Sequence, residues 1–331
     1  MSKCENTITN ILYYDGFWWT NVGEGFINLG LRELLSRLLD NYRIATFSNV
    51  SSKYYTEYGS LEKIIKRKMH PDKVKKTETT LDCSLIYTPD IVLFTGMVVG
   101  EEMARKLETG PVRKLLENGA RLLLLGVGEA EYGDKNKLAH FLRAINSLPT
   151  IPLLISTRDH HTYNDLFGNV QCPLIDGIDC AFWARDSFDP SGFAVSPYDI
   201  VTYQYHPEPK HFADWDVPIV RPCHYQYTYS EKNYQIQKNI FISDSIWDYI
   251  SLYANSRCVY TDLVHASIIS LQFGIPVKYE FTDYRSKAFE NVRSFETDNE
   301  GFMKVDLKDL MKQKDEYVCN LKMALGEGER S

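Results

Sequence analysis

The chain has 331 residues, and at roughly 100–200 residues per domain this length predicts two domains. Apolar residues make up 44% of the sequence and charged residues 24%, which is typical of globular proteins and argues against a disordered or fibrous chain. The formal net charge of −7 argues against general nucleic-acid binding, because domains that bind nucleic acid are usually basic.

The composition also indicates a compartment. The sequence has no apolar run of the ~20 residues that a membrane span needs, and its first residues lack the apolar stretch of a signal peptide. Its 7 cysteines form no CxxC pair, a pattern typical of reduced thiols rather than of a disulfide framework or a zinc site. We therefore expect a cytoplasmic protein that has no integral membrane segment and binds no nucleic acid.

Short apolar segments alternate with amphipathic ones, and this alternation predicts an α/β fold with parallel sheets. In the first part of the chain, strands are predicted at 11–14, 43–47, 90–95, 121–126, 153–157 and 170–173. Helices are predicted from Glu24 onward and at 61–67, 100–118, 135–147 and 161–167. In the second part, strands are predicted at 200–205, 217–220, 239–243, 257–261 and 276–281, and helices at 264–273, at 307–324 and from a cap at Asp244 to residue 254.

A segment rich in Ser, Asp, Pro and Gly at 184–197 is the predicted domain boundary. We expect one Rossmann-like domain at 1–185, a second at 186–300, and a terminal segment at 301–331 whose helix crosses back to the first domain. A ligand is then expected in the cleft between the carboxyl ends of the strands.

Glycines follow three of the predicted strands. The first loop ends in Asn21-Val-Gly23-Glu24-Gly25 at the start of a helix, Gly96 follows strand 90–95, and Gly126-Val-Gly128 follows strand 121–126. Glycine allows close approach of the backbone to a ligand, and a helix N-terminus favours an anion or a sugar hydroxyl. Glycines that serve only tight turns are the alternative.

Arg158 and His265 are the candidates for chemistry. Arg158, followed by Asp159, comes directly after strand 153–157, where its guanidinium can bind a carboxylate or phosphate. A surface Arg–Asp pair is the alternative. His265 falls in the first turn of a helix, where the dipole favours a neutral imidazole that can act as a general base; a structural histidine is the alternative. The adjacent His160 and His161 are expected to point in different directions, and no metal site is predicted.

Taken in order, these motifs resemble those of the polysaccharide pyruvyl transferase family over about residues 10–290. The matching segments are Asn21-Val-Gly23-Glu24-Gly25-Phe26-Ile27, Pro89-Asp90 through Thr95-Gly96, Leu125-Gly126-Val127-Gly128, Arg158-Asp159-His160-His161-Thr162, Asp179-Cys180-Ala181-Phe182, and Thr261-Asp262-Leu263-Val264-His265-Ala266 followed by Gly274-Ile275-Pro276-Val277.

The resemblance implies two Rossmann-like domains, arranged as in B-type glycosyltransferases, whose parallel sheets face each other across a cleft. It also implies an enzyme that transfers a pyruvyl group, as a ketal, from phosphoenolpyruvate to a sugar hydroxyl. Phosphoenolpyruvate would be the donor substrate, no cofactor is expected, and the acceptor would be a glycan or a lipid-linked sugar. Arg158 would hold the donor's charge and His265 would serve in proton transfer or donor binding. The other residues that would bind substrate are Asn21, Gly23, Glu24, Gly25, Gly96, Gly128, Asp159 and Thr261.

One position departs from the family pattern. The family's arginine two residues before the histidine is Leu263 here. Phosphoenolpyruvate carries a carboxylate and a phosphate, so the loss of a guanidinium weakens binding unless Lys278, Arg285 or Lys287 replaces it. Two other functions stay open: a nucleotide-sugar glycosyltransferase on the same scaffold, and a glycan-binding protein without activity.

Overall fold

The computed structural model describes residues 8–14, 21–47, 82–224, 238–280 and 284–326. The predicted helix 61–67, the loop residues 16–20 and the side chain of Arg285 lie outside the described residues.

The first sheet has six parallel strands in the order β2-β1-β3-β4-β5-β6. The strands are β1 Thr9–Tyr14, β2 Tyr42–Phe47, β3 Ile91–Val99, β4 Arg121–Glu129, β5 Leu154–Thr157 and β6 Leu174–Asp176. The helices of this part are α1 Val22–Leu38, α2 Glu101–Glu108, α3 Gly110–Glu117, α4 Lys135–Asn146 and α5 His160–Leu166. Strands β4 and β5 are buried along almost their whole length, which explains why they read as continuous apolar runs.

The second sheet has seven strands in the order β12-β13-β11-β10-β7-β8-β9. The strands are β7 Asp199–Thr202, β8 Ile219–Pro222, β9 Ile240–Phe241, β10 Val259–Thr261, β11 Val277–Tyr279, β12 Phe295–Thr297 and β13 Met303–Val305. The helices are α6 Ala184–Ser187, α7 Ile246–Ala254, α8 Val264–Gln272 and α9 Leu307–Ala324. Strands β12 and β13 are antiparallel and were not predicted, because three-residue strands are too short to show a period in the sequence.

Several predicted boundaries are wrong. The helix predicted at 100–118 is split into α2 and α3, because Gly110 has φ of +82° and Pro111 cannot continue a helix. The strand predicted at 170–173 lies at Leu174–Asp176, and α7 begins after Ser245 rather than after Asp244.

The sequence suggested that Gly96 and Gly126 mark the ends of strands. In the structure both glycines lie inside strands. Their φ values are +80° and +59°, and the pairing of β3 with β4 shifts register between Thr95 and Gly96. Both strands continue beyond these glycines, so the glycines produce bulges within the sheet.

The strand order reverses between β1 and β3 in the first sheet and between β7 and β10 in the second. Ligands of open α/β sheets bind at such reversals, beyond the carboxyl ends of the strands. Helix α1 starts at the first reversal and α8 at the second, so a ligand is expected near these two helix N-termini.

One buried apolar cluster joins the two sheets, and it includes Phe26 of α1, Trp183 and Ile269 of α8. Helix α9 also contacts the first sheet, since the Tyr317 hydroxyl donates to Ser156 Oγ at 2.7 Å. The chain passes from the first sheet to the second between β6 and β7, while the exact domain limits stay a prediction.

Candidate active site

Three side chains from distant parts of the chain meet between the two sheets. Nη1 of Arg158 donates to Oδ2 of Asp179 at 3.1 Å, and Nε2 of His265 lies 3.7 Å from the same oxygen. The exposed fractions of the three side chains are 5%, 1% and 15%, so only His265 has appreciable contact with solvent. Arg158 is therefore buried, and the alternative of a surface Arg–Asp pair is not observed.

Each of the three residues is positioned by the end of an element. Arg158 follows β5, and Asp179 begins a short 3-10 helix in which its Oδ1 accepts the Ala181 N–H at 2.8 Å. His265 is the second residue of α8. Gln272, at the other end of α8, donates to the Ala181 carbonyl at 2.7 Å, which ties the segment that carries Asp179 to the helix that carries His265.

Asp179 and Arg158 are both held in their charged forms. Burial alone would raise the pKa of Asp179, but the nearby imidazole of His265 and the charge of Arg158 lower it to about 2. Burial opposes the charge of Arg158, yet the Asp179 carboxylate outweighs it and raises the pKa of the guanidinium. The cluster therefore contains a fixed carboxylate and a fixed guanidinium beside the imidazole.

Part of the hydrogen-bonding capacity of this cluster is unused. Among the described residues, Arg158 Nε and His265 Nε2 are buried and have no hydrogen-bond partner. A buried polar atom without a partner lowers the stability of the fold, and a bound ligand can satisfy it. The arrangement is suited to an anionic ligand whose chemistry needs a proton transfer.

Two of the predicted glycines contact this cluster. A Cβ atom on Gly23 would overlap the imidazole of His265, and one on Gly128 would lie 2.7 Å from Arg158 Nε. Both positions therefore require glycine because the functional side chains occupy the adjacent space.

The start of α1 forms the next part of the site. Asn21 caps the helix, and its Oδ1 accepts the Gly23 N–H at 3.1 Å. Its Nδ2 lies 3.5 Å from Glu24 Oε1, and a Cβ on Gly96 would lie 3.5 Å from the other oxygen of Glu24. Gly25 is buried within the same turn of α1. The structure thus brings Asn21, Glu24 and Gly96 together.

Asp159 and Thr261 lie close to the cluster, but their polar atoms are engaged in holding helices. Asp159 accepts the Thr162 N–H at 2.8 Å and the Tyr132 hydroxyl at 2.6 Å. Thr261 Oγ1 accepts the Leu263 N–H at 2.9 Å at the start of α8. Both residues position the backbone that carries Arg158 and His265.

Among the proposed replacements for the family arginine, Lys278 faces away from His265. Lys278 lies on β11 beside Tyr260, with its Nζ 5.9 Å from the centre of the Phe302 ring. That is the face of the sheet opposite α8, because Val277, the preceding residue, packs in the cluster that contains α8. Lys287 is half-buried in a 3-10 helix at Tyr284–Phe289, and neither lysine forms an ion pair with Asp179 in the described part of the chain.

The sequence motifs contain Asp179 but assign it no role, and they do not include Tyr132. The signal for Asp179 was its place at the start of Asp179-Cys180-Ala181-Phe182. Its role depends on contacts with residues that lie far away along the chain, so its motif alone does not reveal it.

A separate cavity of about 990 Å³ opens on the second sheet. Asp262, three residues before His265, shapes its rim by accepting the backbone N–H groups of Gln204, Tyr205 and His206. The side chains that line it include aromatic and basic ones: Tyr203, Phe212, Trp215, Lys210, Arg221 and Lys238. Its volume is in the range of pockets for drug-sized ligands.

The comparisons with known proteins agree with this architecture. The family model described as polysaccharide pyruvyl transferase matches residues 21–277. The comparison with curated proteins found no match.

In the described ranges, no helix combines the length and apolarity that crossing a membrane requires.

Two solved structures illustrate the fold. The S. aureus MnaA–UDP complex is 10% identical, with a TM-score of 0.51 and coverage of 97% of this chain and 91% of that one. A protein of Listeria monocytogenes, provisionally assigned as a UDP-N-acetylglucosamine 2-epimerase, is 11% identical, with a TM-score of 0.50 and coverage of 98% and 91%. At this identity the likeness concerns the fold alone, and it confirms the prediction of a B-type glycosyltransferase-like α/β architecture.

Proposed function

The chain belongs to the polysaccharide pyruvyl transferase family, and from that premise we propose that it transfers a pyruvyl group from phosphoenolpyruvate to hydroxyls of a glycan or lipid-linked sugar precursor. The observation that carries the proposal is the buried cluster of Arg158, Asp179 and His265 between the two sheets. A cytoplasmic location is part of the proposal, since none of the described cysteines forms a disulfide.

The proposed roles follow from the buried polar atoms of this cluster that have no hydrogen-bond partner among the described residues. Arg158 directs Nε, which has no partner among the described residues, toward an acidic group of the donor. Asp179, held ionised by its low pKa, orients His265 and stabilises the imidazolium. His265 moves the proton.

The reaction balances with these groups alone. His265 protonates C3 of phosphoenolpyruvate, which makes C2 electrophilic, and a sugar hydroxyl then adds to C2 and returns its proton to His265. A second hydroxyl of the sugar displaces the phosphate at C2, and its proton leaves with inorganic phosphate. The products are a cyclic pyruvate ketal and phosphate, and no redox cofactor is needed.

The test combines phosphate release with product analysis. The full chain is incubated with phosphoenolpyruvate and a panel of saccharide acceptors, and the ketal is identified by mass spectrometry. His265→Gln is expected to lower the rate by ~10²–10⁴ while the protein remains folded. His140→Gln is the matched control, because His140 lies on the surface with Glu101 and Glu108. Phosphate release without a ketal, or unchanged turnover in the His265 variant, would reject the proposal.

The cavity on the second sheet favours one alternative, a nucleotide-sugar glycosyltransferase. Its aromatic rings and the exposed Lys210 and Lys238 suit a base and a diphosphate, while Arg221 is already paired with Glu208, and its volume exceeds what phosphoenolpyruvate needs. Thermal shift in the presence of phosphoenolpyruvate or of UDP-sugars separates the two, because a true ligand raises the melting midpoint. Stabilisation by UDP-sugars alone would favour the alternative, and stabilisation only by glycans would favour a binding protein without activity.

A further inference from the structure

Three potential metal ligands converge beside the candidate active site. Glu129 ends β4, and His161 and Asp165 are one turn apart on α5. One ligand atom from each residue lies within 4.8 Å of the other two. Nε2 of His161 is 3.9 Å from Glu129 Oε1 and 3.5 Å from Asp165 Oδ2.

A buried carboxylate with one unsatisfied oxygen points into this cluster, since Glu129 Oε2 accepts the Gly133 N–H at 3.4 Å. The Glu129 side chain is 3% exposed, and its Oε1 has no hydrogen-bond partner among the described residues. Nε2 of His161 is likewise buried without a hydrogen-bond partner. In the described part of the chain, His161 alone comes within ion-pair distance of either carboxylate. A buried carboxylate normally has a partner or a metal, and here a cation would supply one.

We propose that Glu129, His161 and Asp165 bind a divalent transition-metal ion. Nitrogen and oxygen ligands at ~2.0–2.2 Å from an ion stand roughly 3.0–3.6 Å apart, so the observed separations need only a small contraction. One imidazole with two carboxylates suits Mn²⁺, Fe²⁺ or Zn²⁺ better than Mg²⁺ or Ca²⁺, which prefer oxygen ligands alone. His161 and Asp165 are partly exposed, so an ion can enter from their side.

The contacts of His161 differ from those of His160 and His140. His160 points elsewhere and pairs with Asp176 at 2.6 Å, as expected for adjacent residues on a helix. His140 also faces two glutamates, but both of its ring nitrogens are already within 3.0 Å of a carboxylate oxygen. The His161 cluster leaves room among its ligand atoms for an ion, whereas the His140 cluster is closed by hydrogen bonds.

A bound ion would also fix one side of the candidate active site. The ring of Tyr132 stacks on His161 with ring centres 5.4 Å apart and on Tyr284 at 4.5 Å. The hydroxyl of Tyr132 donates to Asp159, the residue that follows Arg158. Metal binding is therefore expected to order this stack and, through it, the backbone at Arg158. The ion acts in positioning and has no assigned part in the group transfer.

The experiment measures Mn²⁺ binding to the full chain after treatment with a chelator. Mn²⁺ is the probe because it prefers oxygen and imidazole ligands to the thiols of the protein. Loss of the free-ion electron paramagnetic resonance signal gives stoichiometry and affinity, and melting in the presence of Mn²⁺ gives a second readout. One equivalent is expected to bind, with a rise in melting midpoint.

Substitutions locate the ion. Glu129→Gln and His161→Gln are each expected to weaken Mn²⁺ binding by at least ~10-fold and to abolish the thermal shift. Asp165→Asn, at a more exposed position, provides the same test if either buried variant fails to fold. His140→Gln should bind as the unmodified protein does. The absence of binding at millimolar Mn²⁺, or equal binding by all variants, would overturn the proposal.

Discussion

The imidazole of His265 occupies the space that a side chain at Gly23 would need. Gly23 lies in the first turn of α1, beyond the first sheet, and His265 lies in the first turn of α8, beyond the second. The two helix N-termini therefore meet through a glycine and a histidine, and the smallness of one residue sets the position of the other.

This contact predicts strong coupling between the two positions in a double-mutant cycle. Gly23→Ala should destabilise the protein by about 1–3 kcal/mol, because the new methyl group collides with the imidazole. With His265→Ala also present, the same change should cost less, because the ring is gone and only the Cβ of residue 265 stays close, 3.0 Å from the new methyl group. The preference for alanine over glycine in a helix, about 1 kcal/mol, then offsets part of that remaining contact. Denaturant unfolding of the four proteins measures the cycle, and additive effects would contradict the contact.

Asp179→Asn tests the buried ion pair. The change leaves the Arg158 guanidinium without its countercharge, and we expect a loss of about 3–5 kcal/mol. Glu117→Gln is the control, because the Arg113–Glu117 pair lies on the surface and should contribute at most about 0.5 kcal/mol. Equal losses in the two variants, measured by denaturant unfolding at pH 7, would show that Arg158 is not dependent on Asp179.

His224 predicts acid sensitivity. Burial, helped by the nearby His265, lowers the pKa of His224 from 6.5 to about 3. Between these values the unfolded chain binds a proton that the folded chain does not, so stability falls as the pH drops from 6.5 toward 3. Its imidazole is bonded to Tyr253 and packed against the ring of Tyr249.

The measurement compares unfolding free energies at pH 7.5 and pH 5. His224→Gln should lose less stability on acidification than the unmodified protein does. His140→Gln should lose more, because Glu101 and Glu108 raise the pKa of His140 and its contribution is largest at low pH. The same change in unfolding free energy in both variants would contradict a lowered pKa for His224 and a raised pKa for His140.

Leu263→Arg would restore the family's arginine, but the structure changes the expected outcome. Leu263 is only 4% exposed and packs in the main apolar cluster, so an arginine there should destabilise the protein by several kcal/mol. Leu263→Met, which keeps volume and polarity, should cost less than about 1.5 kcal/mol. Melting with and without phosphoenolpyruvate checks both, and a stable arginine variant without ligand would contradict the burial of this position.

Local patterns predicted much of the fold. Apolar runs located β3, β4 and β5, and the helix that follows Thr261 begins at Val264, as predicted. The missed hairpin of β12 and β13 involves strands of only three residues, and tertiary packing decided it, because sheet pairing supplies contacts that neighbours in sequence cannot. The split at Gly110 has a local cause instead, the positive φ of Gly110 followed by Pro111.

The sequence by itself identified the family pattern, Arg158 and His265 as candidate groups, and the glycines that approach them. Only the tertiary structure revealed that Asp179 lies between Arg158 and His265, that Lys278 points away from them, and that Glu129 faces His161. Residue type and spacing report on chemistry and on local backbone geometry, which depend on near neighbours. A shared carboxylate or a ligand triad depends on strands and helices from separate parts of the chain, and packing alone brings those together.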